Sequence, residues 1–376
     1  MELHGLELRT VISSGGTLRL WLQDVPVPEP AADEVVVRVQ AAPINPSDIG
    51  VLFGPADLAT LQGAGTADRP EVTATVPAAR IEGISGRVDQ ALPAGNEGAG
   101  TIVAAGRDAQ DLVGRVVAAR SFGMYAQHRL VKLADCLVLA EGTAPLVGAS
   151  AFVNPLTALG MVETMRLEGH TAIVHTAAAS NLGQMLNRLC IADGVALVNV
   201  VRSQAQADVL RAAGARYVVD STSPSFIADL DDAIAETEAT LAFDAIGGGQ
   251  LAATILASME RTLLARADAY SRYGSPIHKQ VYLYGNLDPT PTEFHRSFGM
   301  AWGIGGWLMT WFMDKIGTQQ AARLRERVAA ELTTIFASHI TAEISLAEAL
   351  AVDTIRAYTR RATGEKYAIN PSLPVR

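Results

Sequence analysis

The residues best equipped for chemistry lie in the stretch 171–202, T-A-I-V-H-T-A-A-A-S-N-L-G-Q-M-L-N-R-L-C-I-A-D-G-V-A-L-V-N-V-V-R. An apolar run meets a turn of small residues at 176–183. A helical pattern follows, with Leu182, Met185, Leu186, Leu189 and Cys190 on one side. A second apolar run ends on Arg202. Strand, small turn, helix and strand form a unit suited to a dinucleotide. The turn admits a pyrophosphate to the helix N-terminus, where N–H groups and the helix dipole favour an anion. Ala178, Ala179, Ser180, Asn181, Leu182 and Gly183 are the expected pyrophosphate cradle. Only Gly183 occupies a fingerprint glycine position, and a turn made for packing alone would look similar. An acid ending the second strand would accept hydrogen bonds from a ribose 2′-hydroxyl, whereas an arginine pairs with a 2′-phosphate. Arg202, with Ser203 as a hydroxyl helper, therefore predicts NADPH. A solvated surface arginine is the competing explanation. Gly247, in A-F-D-A-I-G-G-G, and Tyr284-Gly285 follow apolar runs and are expected to border the nicotinamide, since turns at strand C-termini line the crevice of open α/β sheets.

Those residues need a scaffold, and the pattern along the chain supplies two. Before about Ser150, short runs at 18–22, 34–41, 101–105, 116–119 and 127–131 read as strands bounded by Gly, Pro and polar residues. They predict a β-barrel-like domain. Residues 54–93 form a long Gly/Ala/Pro/Thr-rich insert, either partly ordered or a mobile flap. Beyond Ser150, apolar runs at 173–175, 197–201, 217–219, 240–243 and 281–284 alternate with helical patterns, which predicts a doubly wound parallel sheet. After about Gly317 a charged helix and mixed segments lead to K-Y-A-I-N-P.

Composition narrows the function classes. A chain of 376 residues suggests two domains. A net charge of −9 argues against nucleic-acid binding. Two distant cysteines, Cys136 and Cys190, argue for a reducing compartment and against a disulfide framework. No basic region followed by an apolar run opens the chain, so a cytoplasmic location is expected. The apolar stretch 298–313 is short for a membrane span and broken by Gly, so no span is expected there. It reads as a buried helix, a pocket wall or a subunit contact.

Four segments in order, A-A-P-I-N-P-S-D at 41–48, G-N-E-G-A-G at 95–100, V-N-P-L-T-A at 153–158 and the dinucleotide unit, resemble the medium-chain dehydrogenase/reductase superfamily. The resemblance covers most of the chain outside the 54–93 insert. It implies a GroES-like catalytic domain from 1–149 and 317–376, and a Rossmann domain from 150–316. Zinc members of that family place a Cys where Asn45 stands, a His where Asn96 stands and a third ligand near Asn154. Amides are poor zinc ligands, so no metal is expected. The chain is similar to the zinc-free quinone oxidoreductases and enoyl thioester reductases. The family implies that Asn154 and Thr157 contact the nicotinamide end; Asn154 as a helix cap before Pro155 is the plainer reading. Asn45 is expected to bond the substrate carbonyl or the nicotinamide ribose, or to shape the turn before Pro46. Asp48 is expected to cap the following helix.

V-N-P-L-T-A, N-V-V-R and the aromatic W-L-M-T-W-F-M-D-K lean toward the enoyl thioester reductases. Those enzymes carry a catalytic Tyr shortly after N-P-S-D, where this chain reads V-L-F-G-P-A; no Tyr occurs in 1–124. Hydride added to an enoyl β-carbon leaves an enolate that needs a proton at carbon, which a positioned acid supplies. A quinone leaves a phenolate oxygen that water can protonate. The expected acceptor is a quinone or an α,β-unsaturated carbonyl, with a 2-enoyl thioester, or no turnover at all, as alternatives. Tyr284 and Tyr125 are candidate proton sources, although Tyr125 reads better as a buried aromatic with a satisfied hydroxyl, and His175 as a core histidine. Trp302, Trp307 and Trp311 are expected to wall an apolar pocket or pack the core. A homodimer is expected by family analogy, with the strand 281–284 pairing across a two-fold axis.

Overall fold

A computed structural model describes residues 3–374. The chain divides into two compact units, Met1–Val153 with Ala329–Arg376, and Asn154–Val328. The sequence pattern placed these junctions slightly earlier, at Ser150 and Gly317. Together the units make a mixed α/β structure with several sheets.

The first unit is built mainly of antiparallel strands. His4–Ile12 and Thr17–Pro26 pair as a hairpin. Glu34–Pro43 pairs with Glu97–Ala105 on one edge and His128–Lys132 on the other. Alternation along Thr17–Pro26 sends Leu18, Leu20 and Leu22 inward and Arg19 and Gln23 outward, as a half-buried strand requires. The 54–93 insert is an ordered extension and not a loose flap. Asp57–Gly65 and Pro70–Thr75 form a second hairpin that continues the first sheet through Thr17–Pro26. Leu61, Val72 and Ala74 carry the insert into the core. The C-terminal strand Tyr367–Ile369 joins the other sheet beside Glu34–Pro43, which brings the K-Y-A-I-N-P tail next to A-A-P-I-N-P-S-D.

The second unit holds a six-stranded, all-parallel sheet. Its strands are Ala172–His175, Ala196–Val201, Tyr217–Asp220, Leu241–Asp244, Lys279–Leu283 and Trp302–Gly306. Numbered within this sheet, they lie in the order 3-2-1-4-5-6. The helix Asn181–Asp193 illustrates the local logic. Ser180 Oγ accepts from Gly183 N at 3.1 Å as N-cap, and Gly194 ends the helix in the left-handed region. Between these caps, Met185, Leu186, Leu189 and Cys190 bury one face.

Two expectations are corrected here. The stretch 298–313 is not a buried helix throughout. It contains the edge strand Trp302–Gly306 and the start of helix Met309–Ala330, kinked at Gly317. The strand 281–284 cannot pair across a two-fold axis, because Lys279–Leu283 is flanked on both sides. Among the described residues, Pro145–Leu167 is the run apolar and long enough to cross a membrane, and it is mostly buried, as a core helix is.

Candidate functional site

In the second unit the strand C-termini gather the expected cofactor residues. The turn after Ala172–His175 begins with Ala177 in the left-handed region at φ 51°. A Cβ on Gly183 would lie 2.1 Å from Ala178 O, so the helix can approach the preceding turn this closely only with glycine there. Several backbone N–H groups of the expected cradle are already hydrogen-bonded within the turn. Ala178 N donates to Val200 O, Ser180 N to Ala177 O and Gly183 N to Ser180 Oγ. Among the described residues, the N–H groups of Ala179 and Leu182 make no intramolecular hydrogen bond, and Asn181 sits between them at the helix start. Arg202 is exposed just past the end of Ala196–Val201, and its backbone N–H donates to Gln206 Oε1 at 3.0 Å. Ser203 is the N-cap of helix Gln204–Ala212, and its Oγ accepts from Gln206 N.

Across the sheet, Thr176 and Asp244 lock the next turn. Thr176 Oγ1 donates to Asp244 Oδ1 at 2.6 Å and accepts from Ala245 N at 2.8 Å. Ile246 N and Gly247 N also donate to the Asp244 carboxylate. Gly247 has φ 81°, and a Cβ there would meet Gly285 O at 2.8 Å. Gly247 and Tyr284-Gly285 are thus neighbours. The buried ring of His175 reaches Tyr284, with Nε2 and Oη 2.7 Å apart. Burial drives the His175 pKa down to about 3 and raises that of Tyr284.

Asn154 and Thr157 stand one turn apart in helix Val153–Leu167, both buried. Asn154 lies inside the first turn, so it is not the helix cap. Trp307 Nε1 donates to Thr164 Oγ1 on the same helix, and its ring meets Phe243 edge-on. Trp302 packs edge-on against Phe298, while Trp311 is 70% exposed.

In the first unit a buried polar network surrounds Asn45. Its Nδ2 donates to Glu97 Oε1 at 2.8 Å, and its Oδ1 accepts from Lys366 Nζ at 2.8 Å. Glu97 Oε2 accepts from Phe152 N and Val153 N, both at 2.9 Å. Asp48 accepts from Asn45 N and Asn96 N, which is the capping role expected of it. Burial pushes the Asp48 carboxyl up to about 7, against these two donors and the Lys366 charge. Burial also raises Glu97 and lowers Lys366, each opposed by the other's charge. Asn96 Nδ2 donates to Ser47 Oγ at 3.1 Å. Tyr125 is fully buried and its hydroxyl donates to Pro43 O, a satisfied core tyrosine.

Glu97, Lys366, Thr176 and Asp244 were not singled out from the sequence. Lys366 and Glu97 are 269 positions apart, and no periodicity links them. Asp244 ends an apolar strand before glycines, and an acid at such a place was a usable signal.

No family model matches the chain. The mitochondrial enoyl-[acyl-carrier-protein] reductase of Xenopus tropicalis is 32% identical over 193 residues, covering 49% of this chain and 46% of the relative. The chain therefore spans about half the length of that relative. A solved structure from Mesorhizobium loti, assigned as an NADPH:quinone reductase, aligns at a TM-score of 0.73 and 25% identity over 99% of both chains. The Escherichia coli quinone oxidoreductase, solved with NADPH, shares the fold at a TM-score of 0.67 and 16% identity, over 98% of this chain and 100% of that one. In its ordered motifs, its 3-2-1-4-5-6 sheet and these likenesses, the chain is similar to the quinone oxidoreductase and enoyl reductase branch of the medium-chain dehydrogenases/reductases.

Proposed function

We propose that this protein is an NADPH-dependent reductase that passes hydride to a quinone or an α,β-unsaturated carbonyl without zinc. The second unit is read as a Rossmann domain and the first as a GroES-like domain. The observation that carries the reading is the exposed Arg202 at the end of the second parallel strand, with a glycine-limited turn at the end of the first. That pairing fits a dinucleotide with a 2′-phosphate. Ala179 and Leu182 N–H would receive the pyrophosphate, Arg202 the 2′-phosphate, and Gly247, Tyr284 and Gly285 would border the nicotinamide.

When bound, NADPH supplies a hydride from nicotinamide C4. The chain's own residues bind, align and desolvate the reactants. Asn45, Asn154 and Thr157 are proposed to orient acceptor and nicotinamide. The amide of Asn45 is held by a lysine ammonium and a carboxylate, so its orientation is set in advance. The same ammonium, 2.8 Å from Asn45 Oδ1, opposes a divalent cation at the position of a zinc ligand in the metal-dependent relatives.

A 2-enoyl thioester is the second reading, favoured by V-N-P-L-T-A, N-V-V-R and the likeness to the Xenopus enzyme. Stopped-flow NADPH oxidation with a panel of quinones and with crotonyl-CoA separates the two. Quinone turnover supports the leading reading, and turnover of the thioester alone reverses the order. NADPH binding without turnover of either would leave a nucleotide-binding protein.

A further inference from the structure

We propose that Tyr284 is an oxyanion donor for the hydride acceptor and that His175 is the positioning residue that frees its hydroxyl proton. The inference rests on the reductase reading and adds a residue to its chemistry.

The register places the pair. His175 is opposite Phe243, and Phe243 is opposite Tyr282. Cross-strand partners share a face and strand residues alternate, so Tyr284 lies on the face of His175, one step beyond the strand end. The two rings stack with centroids 5.7 Å apart. They sit at the carboxyl edge of the sheet, beside the junction of the first and fourth strands where the strand order reverses. Open α/β sheets bind their ligands outside the strand ends at that reversal.

The hydrogen bonding decides which atom carries the proton. His175 is 0% exposed, and its Nδ1 has no hydrogen-bond partner. Its Nε2 meets Tyr284 Oη at 2.7 Å. With the proton on Nδ1, a buried N–H donor would be orphaned. With the proton on Nε2, only an acceptor lone pair is left bare. Orphaned N–H groups are the rarer of the two in native structures, so we assign the Nε2–H tautomer. Tyr284 Oη then accepts from His175, and its own O–H is unspent. No other hydrogen bond to that hydroxyl exists among the described residues. Burial and the nearby Asp244 charge raise the Tyr284 pKa, so the phenol keeps its proton and acts as a hydrogen-bond donor, not as an acid.

Both acceptor classes need such a donor. As hydride forms a C–H bond at the electrophilic carbon, the π pair moves to the carbonyl oxygen; a quinone then loses a proton from that carbon to water as its ring becomes aromatic. Tyr284 O–H meets the charge developing there. The product takes its proton from water, the acceptor is reduced and NADPH is oxidised. A preorganised donor aimed at a developing oxyanion acts without reorganisation at the moment of reaction.

Two measurements test this. The ¹⁵N shifts of His175 should report a proton on Nε2 and a bare Nδ1; a proton on Nδ1 overturns the assignment, whatever the enzyme reduces. In kinetics with 1,4-naphthoquinone and crotonyl-CoA, Tyr284→Phe should lower kcat on the productive acceptor about 100-fold, with the NADPH Kd changed less than twofold. His175→Gln, which keeps an N–H donor, should lose less kcat than His175→Leu. An unchanged kcat in Y284F overturns the inference alone. A loss explained wholly by weaker NADPH binding overturns it as well. If the wild type turns over neither acceptor, the reductase reading fails and the oxyanion role goes with it. NADPH titration and near-UV circular dichroism confirm that each variant is folded.

Discussion

At the scale of single residues, two side chains carry the sharpest expectations. Arg202→Ala should weaken NADPH about 10- to 100-fold, the loss of one charge-assisted contact, and leave NADH nearly unchanged; fluorescence titration with both coenzymes measures this. Equal losses would remove the 2′-phosphate account. Lys366 sits buried between Asn45 and the carboxylates Glu97 and Asp48. Lys366→Met leaves buried negative charge uncompensated and should cost about 3–5 kcal/mol in urea unfolding. Adding Glu97→Gln should recover part of that loss, because the carboxylate facing the missing ammonium is then neutral.

At the scale of elements, the turn from strand to helix at 176–183 depends on one missing side chain. Gly183→Ala puts a methyl 2.1 Å from Ala178 O and must push the start of helix Asn181–Asp193 away from the turn. Thermal unfolding at a lower temperature together with loss of NADPH binding is expected. A variant with normal Tm and normal affinity would mean that the turn relaxes without consequence. The 54–93 insert is also an element-scale result. Its composition resembled a loop, yet Asp57–Gly65 and Pro70–Thr75 pair as a hairpin on an existing sheet edge. Hydrogen bonds to that edge supply order that Gly- and Thr-rich strands lack alone.

At the scale of the whole molecule, stability should follow pH through buried groups. His175 has a folded pKa of about 3, below its unfolded value of about 6.5. Its contribution is complete above about pH 6.5 and is lost as pH falls toward 3. Between pH 7 and 4.5 this amounts to about 2–3 kcal/mol. Asp48 acts in the opposite sense: its folded pKa of about 7 is raised, so its contribution is lost as pH rises through that value. Urea unfolding of wild type and His175→Gln at both pH values isolates the histidine, and a fall with acid as steep in the variant would refute the assignment. Assembly is the other molecular expectation. One of the two outer strands of the parallel sheet is Trp302–Gly306, an edge whose backbone can pair with a second copy. Sedimentation should give twice the 39.6 kDa chain mass, and a monomer at working concentration would exclude a dimer.

The alternation of apolar runs with helical patterns after Ser150 made the parallel sheet legible, because period-2 and period-3.6 burial leave their mark on consecutive residues. The order of motifs from N-P-S-D to N-V-V-R carried the resemblance to the family, and Arg202 the expectation of NADPH, since each is a local arrangement of a few residues. Tertiary structure alone decided what depends on distant pairing. It set strand Trp302–Gly306 and not 281–284 at the sheet edge, and it joined Lys366 to Asn45. It also stacked His175 on Tyr284 across the switch point. Register and strand order bring those groups together, and neither is encoded in the spacing of residues along the chain.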